Sequence, residues 1–69
     1  MKSSEVVLVS AAGVLAGVEL NEIGVSSGNR WIDAGIGVGI FMLGHFTNID
    51  GVSDFLEGVG IGYTFKAII

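Results

Sequence analysis

The sequence predicts an all-α fold: a small integral membrane protein of two to three short, glycine-rich helices. Three observations predict it. Apolar residues make up 51% of the 69-residue chain and charged residues 14%, against about one-quarter charged in soluble domains. The apolar residues fall into three stretches, about 4–20, 30–46 and 53–69, separated by two polar, turn-rich breaks. Each stretch also carries a pair of glycines four residues apart.

A chain this short forms one domain at most, 1–69. A soluble domain of its size usually needs disulfides, a metal or very dense packing. Here there is no Cys and a single His, and 12 glycines add to the entropy lost on folding. The mean hydropathy of +0.77 agrees with lipid taking the place of a core. A bilayer is therefore the first expected partner, and a cellular or virion membrane the expected location.

The first stretch follows Met1-Lys2 and is uninterruptedly apolar from Val6 to Val18, a pattern shared with secretory signal peptides, with Ala16-Gly17 as a possible cleavage point. With Met1 present, it is read as a structural helix or an uncleaved anchor. Ser3 or Ser4 is the expected N-cap, Asn29 that of the second stretch and Ser53 that of the third. Acids stand early in the second and third (Asp33; Asp54 and Glu57) and His45 and Lys66 stand late, as the helix dipole favours. The first stretch breaks that rule, with Glu19 and Glu22 at its C-terminal end.

At 1.5 Å per residue such stretches reach roughly 26–28 Å, just short of the approximately 30 Å hydrocarbon layer. Their charges sit at the ends, which avoids the ~2.5–3.5 kcal/mol of an acid at mid-span.

Gly13 and Gly17, Gly35 and Gly39, and Gly58 and Gly62 form GxxxG pairs, the spacing that lets helix backbones approach closely in a bilayer. At about 100° per residue, Gly35 and Gly39 share one face of the second helix while Gly37 and Gly44 fall on the opposite one. In the third, Gly58 and Gly62 lie across from Gly60. Two glycine faces per helix predict a hairpin with smooth sides left for further helices, and hence a multimer. The glycines also alternate with period two in 34–43 and 58–65, so the alternative fold is a set of membrane β-strands in a multi-chain barrel.

In a hairpin of the second and third helices, Arg30, Trp31, Tyr63, Phe65 and Lys66 gather at one membrane face, basic and aromatic, with Trp31 and Tyr63 as interface anchors. His45, Asp50, Asp54 and Glu57 gather at the other. The positive-inside tendency directs the Arg30/Lys66 face to the cytoplasm or the interior of an enveloped particle.

Chemistry is sparsely represented. Asp50, Asp54 and Glu57 follow an i, i+4, i+7 spacing that suits hard cations, but acids in a first helical turn more often compensate the dipole. His45 has no second His or Cys for a transition metal and no nucleophile motif to serve. The glycine runs lack P-loop and GxGxxG spacing. Three scattered basic residues in a chain of net charge −4 argue against direct nucleic-acid binding. No cofactor, metal, small-molecule substrate or enzymatic activity is expected.

The expected function is a non-catalytic structural subunit that packs through glycine faces against copies of itself or neighbouring subunits, as in a virion membrane or shell or a membrane complex. In size and composition the chain resembles small virion membrane proteins and holins, with no residue correspondence. Pore formation of the holin kind and a soluble filament or shell are the alternatives. The lack of a continuous polar stripe on any stretch disfavours the pore.

Overall fold

The computed structural model describes residues 2–25 and 28–69. It is all-helical: α1 spans Ser3–Leu20, α2 Arg30–Phe46 and α3 Val52–Ile68, and a π-helical turn, Asn21–Val25, prolongs α1. No β-strand occurs among the described residues, so the barrel alternative falls. Residues 34–43 and 58–65 lie within α2 and α3. Alternating Gly with Val or Ile satisfies a period of two, but glycine has no side chain to present to a sheet face, and a helix satisfies every internal backbone group within one segment.

Two of the three expected caps are different. Asn29 does cap α2, its Oδ1 accepting from the Trp31 N–H at 3.0 Å and the Ile32 N–H at 3.5 Å. Ser3 and Ser4 instead lie inside α1, whose N-cap is Lys2, with no side-chain cap. The N-cap of α3 is Gly51 rather than Ser53. Gly51 adopts φ 85°, a left-handed conformation that turns the chain tightly between α2 and α3 and that glycine enters without a Cβ penalty. Ser53 is used otherwise: its hydroxyl donates to the Gly44 carbonyl at 2.7 Å and lies 3.0 Å from Glu57 Oε1, tying the start of α3 to the end of α2.

The break after Leu20 starts later than its polar composition suggests. The Asn21 N–H still bonds the Gly17 and Val18 carbonyls, and the chain widens into the π turn instead of leaving the helix. Asn21 Nδ2 then reaches the Tyr63 carbonyl at 3.4 Å, which holds this turn against α3.

The central helix is α3. Both α1 and α2 pack along it, and α1 and α2 scarcely touch one another. The α1 contacts of α3 come from Gly58 and Gly62 and its α2 contacts from Gly60 and Thr64, positions that lie on opposite sides of a helix. The result is a slab of three helices in the order α1, α3, α2, with extents of 37 × 20 × 15 Å. Along it α1 and α3 run parallel, since Ser10 and Gly13 meet Gly58 while Gly17 meets Tyr63. α2 runs antiparallel, with Gly37 beside Thr64 and Gly44 beside Glu57.

Ser3–Ile23, 21 residues, is long and apolar enough to cross a membrane by length and composition, a test that a signal sequence near an N-terminus also passes. α2 and α3 have 17 residues each. In α1 and α3 the apolar residues are spread around the axis rather than gathered on one face, the pattern of a helix with apolar surroundings on all sides.

Candidate site: glycine contacts within an apolar exterior

The interior of the slab is largely backbone. Among the described residues, the only large apolar side chains that are buried are Val59 and Tyr63. Among the same residues, eighteen large apolar side chains are exposed, among them Leu8, Leu15, Trp31, Leu43, Phe46 and Phe65. In water this distribution is inverted, since burial of apolar surface is what stabilises a soluble fold. Neighbouring backbones replace the missing side-chain core.

Between α1 and α3, the pair Gly13/Gly17 packs on Gly58/Gly62. A Cβ at Gly13 would meet the Phe55 carbonyl oxygen, at Gly17 the Val59 carbonyl and, at 2.7 Å, the Tyr63 nitrogen. At Gly58 it would meet the Ser10 carbonyl, and at Gly62 that of Val14. Any side chain at these positions would force the helices apart, losing dispersion contact along the seam.

Between α2 and α3 the seam is made by Gly37, Gly44 and Gly60. A Cβ on Gly60 would lie 2.6 Å from the Gly37 carbonyl oxygen, and one on Gly44 would lie 2.7 Å from the Glu57 nitrogen. Thr64 adds a hydroxyl 3.5 Å from the Ala34 carbonyl oxygen. Seven of the nine glycines singled out from the sequence thus line contacts within one chain. The other two, Gly35 and Gly39, have nothing within 4 Å of the position a Cβ would take. They occupy the outer edge of α2, flanked by the exposed Ile32, Met42, Leu43 and Phe46.

This arrangement corrects one expectation about assembly. Gly58 and Gly62 are not a free face for a neighbouring subunit, because α1 of the same chain covers them. The free smooth edge is that of Gly35 and Gly39.

A second correction concerns Tyr63. It is the largest fully buried side chain, 1% exposed, and so is not an interface anchor. Lying one residue beyond Gly62 on the α1 side of α3, it is enclosed where Gly17 and Asn21 approach it. Trp31, 73% exposed, and Phe65, 61% exposed, do project outward.

The expected basic end is mixed in charge. Because α1 is parallel to α3, Glu19 and Glu22 arrive at the same end as Arg30 and Lys66, together with Asp33. Lys66 Nζ lies 3.4 Å from Glu22 Oε1, with both side chains partly exposed. Such a pair contributes about 0–1 kcal/mol. Asp33 is buried, 4% exposed. Its burial was legible in the spacing 33, 37, 44, which continues the glycine stripe of α2 facing α3.

At the other end, His45 stacks on Phe41 at a centroid distance of 6.5 Å and meets Phe46 edge-on at 5.5 Å. No cluster of three metal-ligating side chains occurs among the described residues. Asp50 and Asp54 border a shallow polar hollow with Thr47, Asn48, Ile49 and Ser53, whereas Glu57 is turned toward the Ser53 hydroxyl.

One apolar trough of about 320 Å³ opens between α2 and α3, walled by Val38 and Phe41 on one side and Gly60, Ile61, Thr64, Phe65 and Ile68 on the other. Thr64 supplies its only side-chain polar atom.

No family model, curated protein or solved structure matches the chain.

Proposed function

We propose that this chain is a small integral membrane protein acting as a non-catalytic structural subunit, whose slab of helices packs edge to edge with copies of itself or with neighbouring subunits in a larger assembly such as a virion membrane or membrane complex. The observation that carries the reading is the pairing of a backbone-lined interior with an apolar exterior. Hydrocarbon can solvate the eighteen exposed apolar side chains, and close backbone contact at glycine needs no hydrophobic driving force between helices. Apart from the buried Asp33, the charged groups lie toward the two ends of the slab, where headgroups and water can reach them.

Within that reading, the assembly edge is α2 through Gly35 and Gly39, which repeat the spacing used by α1 against α3 and have no partner in the chain. The membrane claim is tested by carbonate extraction of membranes from expressing cells: recovery in the pellet is expected, and recovery in the soluble fraction would remove the bilayer from the proposal. Assembly is tested by in-membrane crosslinking of Gly39→Leu. Loss of multimers with insertion retained is expected, and undiminished crosslinking would reject the α2 edge.

A further inference from the structure

The three helices are unequally equipped to enter a bilayer. Ser3–Ile23 is long and apolar enough to cross one, and it carries no charge from Val6 to Val18. α2 and α3, with 17 residues each, reach only roughly 26 Å at 1.5 Å per residue, against approximately 30 Å of hydrocarbon. α3 is the poorer of the two. Its uncharged run between Glu57 and Lys66 is 58–65, in which Gly58, Gly60 and Gly62 bring no side chain to transfer from water to lipid. Charges inside a span oppose insertion more strongly the nearer they lie to its middle. Yet α3 is the central helix, along which both others pack.

What α3 lacks, α1 supplies from one face. Gly13 and Gly17 take up the backbone of Gly58 and Gly62, a dense contact whose dispersion attraction needs no hydrophobic driving force. About one turn beyond Gly17, Asn21 Nδ2 donates to the Tyr63 carbonyl at 3.4 Å and Glu22 Oε1 lies 3.4 Å from Lys66 Nζ. The cation that interrupts α3 therefore meets an acid carried by the prolongation of α1. On its other side α3 is met by α2, with the Thr64 hydroxyl toward the Ala34 carbonyl and the Ser53 hydroxyl on that of Gly44.

We infer that α1 is the docking surface on which α3 enters the bilayer. α1 crosses by itself, and the α2–α3 hairpin, closed by the tight turn at Gly51, is drawn across only by packing on the face made by Gly13, Gly17, Asn21 and Glu22. The inference rests on the membrane reading above. It divides the glycines by role: those of the α1–α3 seam admit the rest of the chain to the membrane, and Gly35 and Gly39 serve assembly once it is there.

The chain has no cysteine, so one introduced cysteine reports the side of the membrane on which it stands. Ser4→Cys, Asn48→Cys and Ile69→Cys, all at exposed positions, are made singly in the full chain, and sealed vesicles from expressing cells are labelled with a membrane-impermeant maleimide before and after opening with detergent. Positions 4 and 48 are expected on one side and 69 on the other, because α1 and α3 run parallel and α2 returns between them. Gly17→Leu makes α1 more apolar but forces its seam apart. It should leave 4 and 69 on opposite sides and shift 48 to the side of 69. Gly39→Leu, the same replacement at the open edge of α2, should move none of the three. Adding Glu57→Leu and Lys66→Leu to Gly17→Leu lengthens the uncharged run of α3 to 55–69 and should return 48 to the side of 4.

The docking role is overturned if 48 stays beside 4 in Gly17→Leu, if Gly39→Leu shifts it equally, if the two charge replacements fail to return it, or if 48 already lies opposite 4 in the otherwise unaltered chain. Carbonate extraction of the same vesicles separates the two levels. Protein retained in the membrane while failing any of these arms loses only the docking role, and protein released by carbonate removes the membrane reading as well.

Discussion

Gly13 of α1 and Gly58 of α3 meet backbone to backbone: a Cβ built on either lies 3.1 Å from the α-carbon of the other. The two helices run parallel, and this contact belongs to a seam in which four glycines, Gly13, Gly17, Gly58 and Gly62, interlock. Their separation is therefore set by main-chain atoms, which cannot rotate away as a side chain can.

Replacing Gly13 or Gly58 by Ala should destabilise the α1–α3 pairing. Each new methyl would strike a carbonyl oxygen of the facing helix as well as its Cα region. The cost is expected in the upper part of the roughly 1–3 kcal/mol range for overpacking, exceeding the ~1 kcal/mol of helix propensity that Ala gains over Gly. Reversible unfolding in mixed detergent, followed by circular dichroism and by Trp31 emission, measures it; an increase in stability would contradict the seam.

Gly35 and Gly39 should respond with the opposite sign. An added Cβ there meets nothing within 4 Å, so Ala at either position is expected to stabilise the dissociated chain by about 0.5–1 kcal/mol through propensity alone. The same unfolding experiment, run at high detergent-to-protein ratio to keep the chain monomeric, checks it.

Tyr63→Ala removes the largest buried side chain of a slab that has almost no other. Truncating a buried aromatic costs about 3–5 kcal/mol, and here the loss falls where Gly17 and Asn21 approach α3. Loss of slow-exchanging amides in both α1 and α3 is the expected readout by hydrogen exchange. Protection lost in α3 alone would show that Tyr63 does not hold α1.

The two turns should be sensitive at Asn29 and Gly51. Asn29→Ala deletes the cap of α2, at about 1 kcal/mol, and should fray its first turn while leaving α3 intact. Gly51→Ala forces an L-residue into φ 85°, at roughly 1–2 kcal/mol, and should loosen the α2–α3 hairpin. Site-resolved nuclear magnetic resonance shifts in micelles would distinguish the two patterns.

The Lys66–Glu22 pair tests how little the mixed-charge end depends on salt bridges. Glu22→Gln is expected to change stability by less than about 1 kcal/mol, and by less still in high salt. A larger loss at low ionic strength would show that the pair anchors the π turn to α3, a role otherwise carried by Asn21.

How much of this was legible beforehand differs from residue to residue. That Gly37 and Gly44 share a face opposite Gly35 and Gly39 followed from helical periodicity, as did the opposition of Gly60 to Gly58 and Gly62. The Asn29 cap was readable because its side chain acts on its own next turn. Ser53 does not cap α3 because the chain enters that helix through Gly51 at positive φ, which leaves the Ser53 hydroxyl free to bond across to Gly44. The place of Tyr63 near a segment end suggests an anchor, whereas its neighbours across the seam are residues 46 and 42 positions earlier, Gly17 and Asn21.

By itself, then, the sequence determined the three helices, their apolar character and which glycines lie on a common face, because these depend on interactions within a few residues. Only the tertiary structure decided that α3 is the middle of the slab, that α1 occupies the Gly58/Gly62 face in parallel, and that Gly35 and Gly39 remain open. Every glycine face is sterically smooth, so nothing local distinguishes one from another. The choice among them is made by which pair of backbones, once the turns are closed, can come into contact along their whole length.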